Sequence, residues 1–147
     1  MASLRWARAR KVEALRGVRL FASCSRRELG QVVDVGVASS VPAGTVLTRE
    51  GHAGGLAYVI VAGSCEVLRA GRRVARLWAG DVVGELSLLD GGPRTATVRT
   101  VSDAELLEIA HRDLQALLRK APDLRRSVLQ ALAERIRDVD SRATTVA

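Results

Sequence analysis

The chain has 147 residues, enough for one domain around one core. Apolar residues make up 48% and charged residues 27%, ordinary globular values, but aromatics are only 3%, so the core has to be built from Val, Leu, Ile and Ala. The net charge of +7 is carried by arginine, no apolar run approaches the roughly 20 residues that span a bilayer, and the opening stretch MASLRWARARKVEALRG has no apolar core of a secretory signal; a cytoplasmic location is expected.

In chain order, Ser3 to Gly36 reads as helical. Leu4, Ala7, Val12, Ala14 and Leu15 mark the apolar side of a first helix, which Gly17 ends. The arginines that crowd this region (Arg5, Arg8, Arg10, Arg16, Arg19, Arg26, Arg27) have no DNA-reading element beside them. They read as a solvated face, and direct nucleic-acid binding is not expected. Leu20 and Phe21 form a packing plug. Ser25 is an N-cap and Glu28, three residues on, completes a capping box for a second helix that buries Leu29, Val32 and Val33. Cys24 and Cys65 fit no metal spacing and read as two partly buried free thiols.

From Val37 to Ala110 glycines punctuate short β-prone runs: Thr45–Thr48, Leu56–Ala62, Cys65–Leu68, Val74–Trp78, Thr95–Val101 and Ala104–Ile109. Ala70–Arg72 reads as a hairpin turn. Many short strands with regular turns predict a jelly roll or small barrel. Helices return at His111. Leu114, Leu117 and Leu118 lie at helical spacing, and Pro122 suits the first position of a last helix. That helix carries Leu129, Leu132, Ile136 and Val139 on one line and Leu124 and Val128 on a second, wide enough to pack on the barrel and leave a seam for another helix. The tail SRATTVA is expected to fray. Trp6 and Trp78 are read as packing residues, and His52 and His111 as loop and helix-start residues rather than metal ligands.

The chemistry concentrates in Gly80–Val98, GDVVGELSLLDGGPRTATV. Glu85 and Arg94 lie nine residues apart, separated by a short apolar turn and a flexible Gly-Gly-Pro run. A buried arginine needs an anion, which here is Glu85, another carboxylate or a ligand phosphate. The guanidinium fork suits phosphate. The turn after Glu85 would aim amide N–H groups at the same anion, Thr95 adds a hydroxyl, and an ionised Glu85 accepts from a ribose hydroxyl. Together these describe a phosphate–ribose site. No Ser-His-Asp or Cys-His arrangement and no inner cluster of His and Glu accompanies them, so no catalytic residue and no metal ligand is expected.

Gly84-Glu85-Leu86-Ser87-Leu88-Leu89 followed by Pro93-Arg94-Thr95-Ala96-Thr97-Val98 resembles the phosphate-binding cassette of the cyclic-nucleotide-binding domain family. Pro42–Leu47 with Glu50-Gly51, and Val61–Val67, are similar to that family's strands, and the resemblance covers about residues 16–140. It implies an α+β fold in which an eight-stranded jelly roll is flanked by N-terminal helices and two C-terminal helices. The chain then reads as one domain over 1–147, with helices to 36, a jelly roll over 37–110 holding a cassette at 84–98, and helices over 111–140. By the same resemblance, Glu85 accepts the ribose 2′-OH and Gly84 allows close approach. Arg94 clamps the phosphate, and the N–H groups of Ser87 and Thr95, beside Leu86, complete the nest. Val83, where many members carry Phe, and Leu132, Arg135 and Ile136 on the last helix are candidate base or lid contacts. The implied ligand is cAMP, with cGMP left open by the hydroxyl of Thr95. The implied role is a stand-alone regulatory sensor, not an enzyme, that signals through its C-terminal helix. No helix-turn-helix, kinase, channel or cyclase segment is recognisable, so the expected output is an unidentified effector protein or a homodimer through that helix. The alternative is a protein-interaction scaffold that needs no nucleotide, with Glu85 and Arg94 paired internally.

Overall fold

A computed structural model describes residues 2–90 and 92–146; the side chains of residues 2–7, 86, 90, 135 and 138–146 lie outside that description. Helix α1 spans Ala2–Arg16 and buries Val12, Ala14 and Leu15. A 3-10 turn at Arg19–Phe21 buries Leu20 and Phe21, so the plug is real. Helix α2, Arg26–Val35, starts at the expected capping box: Ser25 Oγ accepts from the Glu28 N–H at 3.2 Å and Glu28 accepts from the Ser25 N–H at 2.8 Å. Its buried face is Leu29, Val32 and Val33.

Eight strands follow: β1 Val37–Val41, β2 Val46–Thr48, β3 Leu56–Ala62, β4 Ser64–Arg69, β5 Arg72–Trp78, β6 Val82–Val83, β7 Thr97–Thr100 and β8 Ala104–Ala110. They form two four-stranded sheets in the orders β1-β8-β3-β6 and β2-β7-β4-β5, with antiparallel pairing throughout, which is the expected jelly roll. The side-chain period of two decides the layers. On β3, Ala57 and Val59 face the helices while Tyr58 and Ile60 face the second sheet. On β8, Leu107 and Ile109 face the helices and Leu106 faces inward. Sheet β1-β8-β3-β6 is therefore covered on both faces, which explains the nearly unbroken apolar run Leu56–Ala62.

The β4–β5 hairpin turns on Ala70 (φ 51) and Gly71 (φ 75). Two successive left-handed residues make the tight turn whose twist matches paired strands. Strand β5 is almost wholly exposed. Trp78, expected to pack, is 55% exposed and lies under the guanidinium of Arg76 at 4.7 Å, because its register puts it on the outer face of the edge strand.

Between β6 and β7 lies helix α3, Glu85–Asp90. Helix α4 spans His111–Lys120, and α5 begins at Pro122 as expected. It runs to Val146, so the backbone of the tail continues the helix where fraying was expected. Its buried line is Leu124, Val128 and Ala131. Leu129 and Ile136 are 58% and 63% exposed, and Leu132 is half-buried. The second apolar line, not the first, thus meets the 3-10 turn and α4, the elements against which α5 packs.

Candidate functional site

Strand β6 delivers the chain to Gly84, whose φ of 76 is open to glycine at little cost. A Cβ there would also overlap Nη1 of Arg94, so the glycine serves both the turn and the approach of the guanidinium. Glu85 then opens α3. Its carboxylate accepts the backbone N–H of Leu20 at 3.0 Å, tying the start of α3 to the 3-10 turn 65 residues earlier. Among the described residues the ion pairs do not include one between Glu85 and Arg94.

Arg94 is held by its own backbone. Its N–H donates to the His52 C=O at 2.9 Å and its C=O accepts from the Gly51 N–H at 2.9 Å. The guanidinium donates through Nη1 to Ser87 Oγ at 3.2 Å and through Nη2 to the Leu56 C=O. Neither partner is charged. Burial pulls the guanidinium below its ordinary pKa, with Tyr58 opposing weakly. Two of the five guanidinium donors are engaged in these contacts, and the remainder are available to an anion.

Ser87 is buried. Its N–H, expected to point at a ligand, donates to the Gly84 C=O at 3.0 Å and closes the first turn of α3. Its hydroxyl takes the place beside Arg94. The difference is physical: the turn satisfies the amide locally, and only the side chain is left to face the arginine. Thr95 is exposed at the rim, and the side chain of Leu86 lies outside the described residues.

These groups line a cavity of about 450 Å³. Thr48, Arg69, Glu85, Ser87, Arg94 and Thr95 give it polar lining; Val67, Leu77, Val82 and Val83 give it apolar lining. Val83, a candidate base contact from sequence, is one of the wall residues. Thr48, Val67, Arg69 and Leu77 were not singled out from sequence, and their only signal is alternation along β2, β4 and β5, which names a lining residue once the register is known. Among the described residues no side chain of α5 lines the cavity; Leu132 packs toward the main core, Ile136 faces outward, and the side chain of Arg135 lies outside the described residues. Cys24 and Cys65 lie away from the lining; burial pushes both thiols up to about 11.

A lining that combines the cations Arg69 and Arg94, the hydroxyls of Ser87 and Thr95 and apolar side chains fits a small amphiphilic anion. Comparison with known proteins points the same way. The family model described as cyclic nucleotide-binding domain matches residues 38–121. The chain is 34% identical over 131 residues to the Pycsar effector protein XpPycTIR of Xanthomonas perforans, covering 88% of this chain and 43% of that protein. It is 34% identical over 104 residues to the cyclic AMP receptor protein of Thermus thermophilus, covering 67% and 48%. The chain thus spans less than half the length of these relatives. Among solved structures, the N-terminal domain of a transcriptional regulator from Streptomyces coelicolor superposes with a TM-score of 0.82 at 31% identity, covering 88% of this chain and 94% of that one. The regulatory domain of Toxoplasma gondii PKA, crystallised with cAMP, superposes with a TM-score of 0.69 at 33% identity, covering 82% and 48%.

Proposed function

Because this chain belongs to the cyclic nucleotide-binding domain family, we propose that it is a regulatory sensor that holds a cyclic mononucleotide in the cavity beside α3. The phosphate sits against Arg94, Ser87 Oγ and the rim at Thr95. Glu85 and Gly84 face the ribose, and the base lies toward Val67, Leu77, Val82 and Val83. The observation that carries this reading is Arg94: a half-buried cation with a lowered pKa, hydrogen-bonded only to neutral groups, beside a cavity large enough for a nucleotide. An incoming phosphate supplies the missing negative charge and the charge-assisted hydrogen bonds.

The ligand is cAMP or cGMP, with cAMP favoured by the cAMP-bound Toxoplasma relative. Signal leaves the domain through its C-terminal helices. Leu129 and Ile136 give α5 an exposed apolar face that suits a second copy or an effector protein. Movement of that helix requires the ligand to bind one arrangement more tightly than the other. Calorimetric titration of the folded protein with cAMP and with cGMP tests the reading. Saturable binding of either is expected, and the tighter one names the signal. Absence of heat and of any melting shift with both, up to millimolar concentration, would move the assignment to the nucleotide-independent scaffold.

A further inference from the structure

Helix α3 is only six residues long, so its last carbonyls have no partners within the helix. Two of them are taken by α4. His111 Nδ1 meets the Leu88 C=O at 2.8 Å and Gln115 Nε2 donates to the Leu89 C=O at 3.4 Å. His111 and Gln115 lie four residues apart, on one face of α4. A carbonyl oxygen accepts and never donates, so Nδ1 carries the hydrogen in this contact.

The backbone of the same residue also holds the chain that leads into β3. The His111 N–H donates to the Gly55 C=O at 2.7 Å. The next carbonyl along, that of Leu56, is the one on which Arg94 rests. A single residue at the β8–α4 junction therefore holds both the helix that presents Glu85 and Ser87 and the strand start that seats Arg94. Leu88 and Leu114, both fully buried, fill the space behind it.

Resting on the reading of this cavity as the nucleotide site, we propose that His111 is the positioning residue that clasps α3 to the first turn of α4, so that a ligand-driven shift of α3 is passed to the C-terminal helices. Gln115 reinforces the clasp one turn further on. Without the ring, the Leu88 carbonyl loses its donor, and α3 and α4 keep only the longer Gln115–Leu89 hydrogen bond and apolar contact, a weaker tie that permits sliding.

Two substitutions separate this role from simple packing. His111→Leu keeps bulk and removes the donor; His111→Asn places an amide N–H where Nδ1–H was. NMR-detected hydrogen exchange is followed at Ser87, Leu88 and Leu89, with Leu29, Val32 and Val33 of α2 as the internal reference for global stability. In ligand-free protein, H111L is expected to exchange about tenfold faster than wild type in α3 and within twofold of it in α2, with H111N restored to within threefold. With saturating cAMP or cGMP, wild type and H111N gain protection in both α3 and Leu114–Leu118, whereas H111L gains it in α3 alone. Unchanged α3 exchange in ligand-free H111L, or ligand protection that still reaches α4 in H111L, would overturn the proposal. If wild type binds neither nucleotide, the site reading fails by itself, and the ligand-free comparison alone decides whether the clasp exists.

Discussion

Removing the guanidinium of Arg94 is the sharpest perturbation of the site. In the ligand-free protein it donates to Ser87 Oγ and the Leu56 C=O, which leaves three of its five donors for a phosphate. Two charge-assisted hydrogen bonds to phosphate are worth about 1.5–3 kcal/mol each, so Arg94→Ala should weaken nucleotide binding by about 3–6 kcal/mol, roughly two to four decades in Kd. Arg94→Lys keeps a point charge without the planar fork and should recover about half of that loss. Stability should change little. The substitution deprives the Leu56 carbonyl of a donor, costing about 1 kcal/mol, but it also removes a cation that burial already disfavours. Calorimetry with both nucleotides, alongside thermal melts of each variant, measures the two effects separately. A well-folded Arg94→Ala protein that binds within threefold of wild type would refute the assignment of this arginine to the phosphate.

Four further outcomes are expected. Gly84→Ala forces a side chain onto a positive φ and into Arg94, so titration should show binding reduced at least as far as in Arg94→Ala, here with a lowered melting temperature. Ala70→Gly relieves a left-handed alanine at the β4–β5 turn and should stabilise the fold by about 0.5–1 kcal/mol in urea unfolding. Ser25→Ala breaks the capping box of α2 and should cost about 1 kcal/mol in the same assay. The thiols of Cys24 and Cys65 are raised to about 11 in the folded protein. The folded state therefore holds these protons more tightly than the unfolded chain, and the stability they confer is complete below the ordinary thiol range and lost as pH rises toward about 11. Urea midpoints of a Cys24→Ala/Cys65→Ala variant should fall less steeply than wild type across that window.

Much of the fold was legible because its signals are local. A capping box needs Ser25 and Glu28 only, a helix start needs Pro122 only, and a two-residue hairpin turn needs Ala70 and Gly71; each is decided by atoms within one turn of chain. That Glu85, Ser87, Arg94 and Thr95 belong together was equally legible, because they sit in one continuous segment, and the structure brings them to one cavity. What the chain alone left open is which groups meet across long separations. Two apolar lines on α5 were readable, but only the packing of that helix on the 3-10 turn and α4 buried Leu124, Val128 and Ala131 and left Leu129 and Ile136 outside. Glu85 looked ready for either a ribose or Arg94, and the fold set it on the Leu20 N–H, 65 residues away. Arg94 demanded a partner in sequence, and the tertiary structure supplied a carbonyl 38 residues away and a serine hydroxyl, both uncharged. His111 read as a helix start; that its ring closes the end of α3 depends on the arrival of Leu88 from 23 residues upstream. Local sequence determines conformation and the kinds of chemistry available, because backbone preference and motif spacing are short-range. Partnership is decided by tertiary structure, because burial makes each polar group take whichever complementary group the packing brings within 3 Å or so.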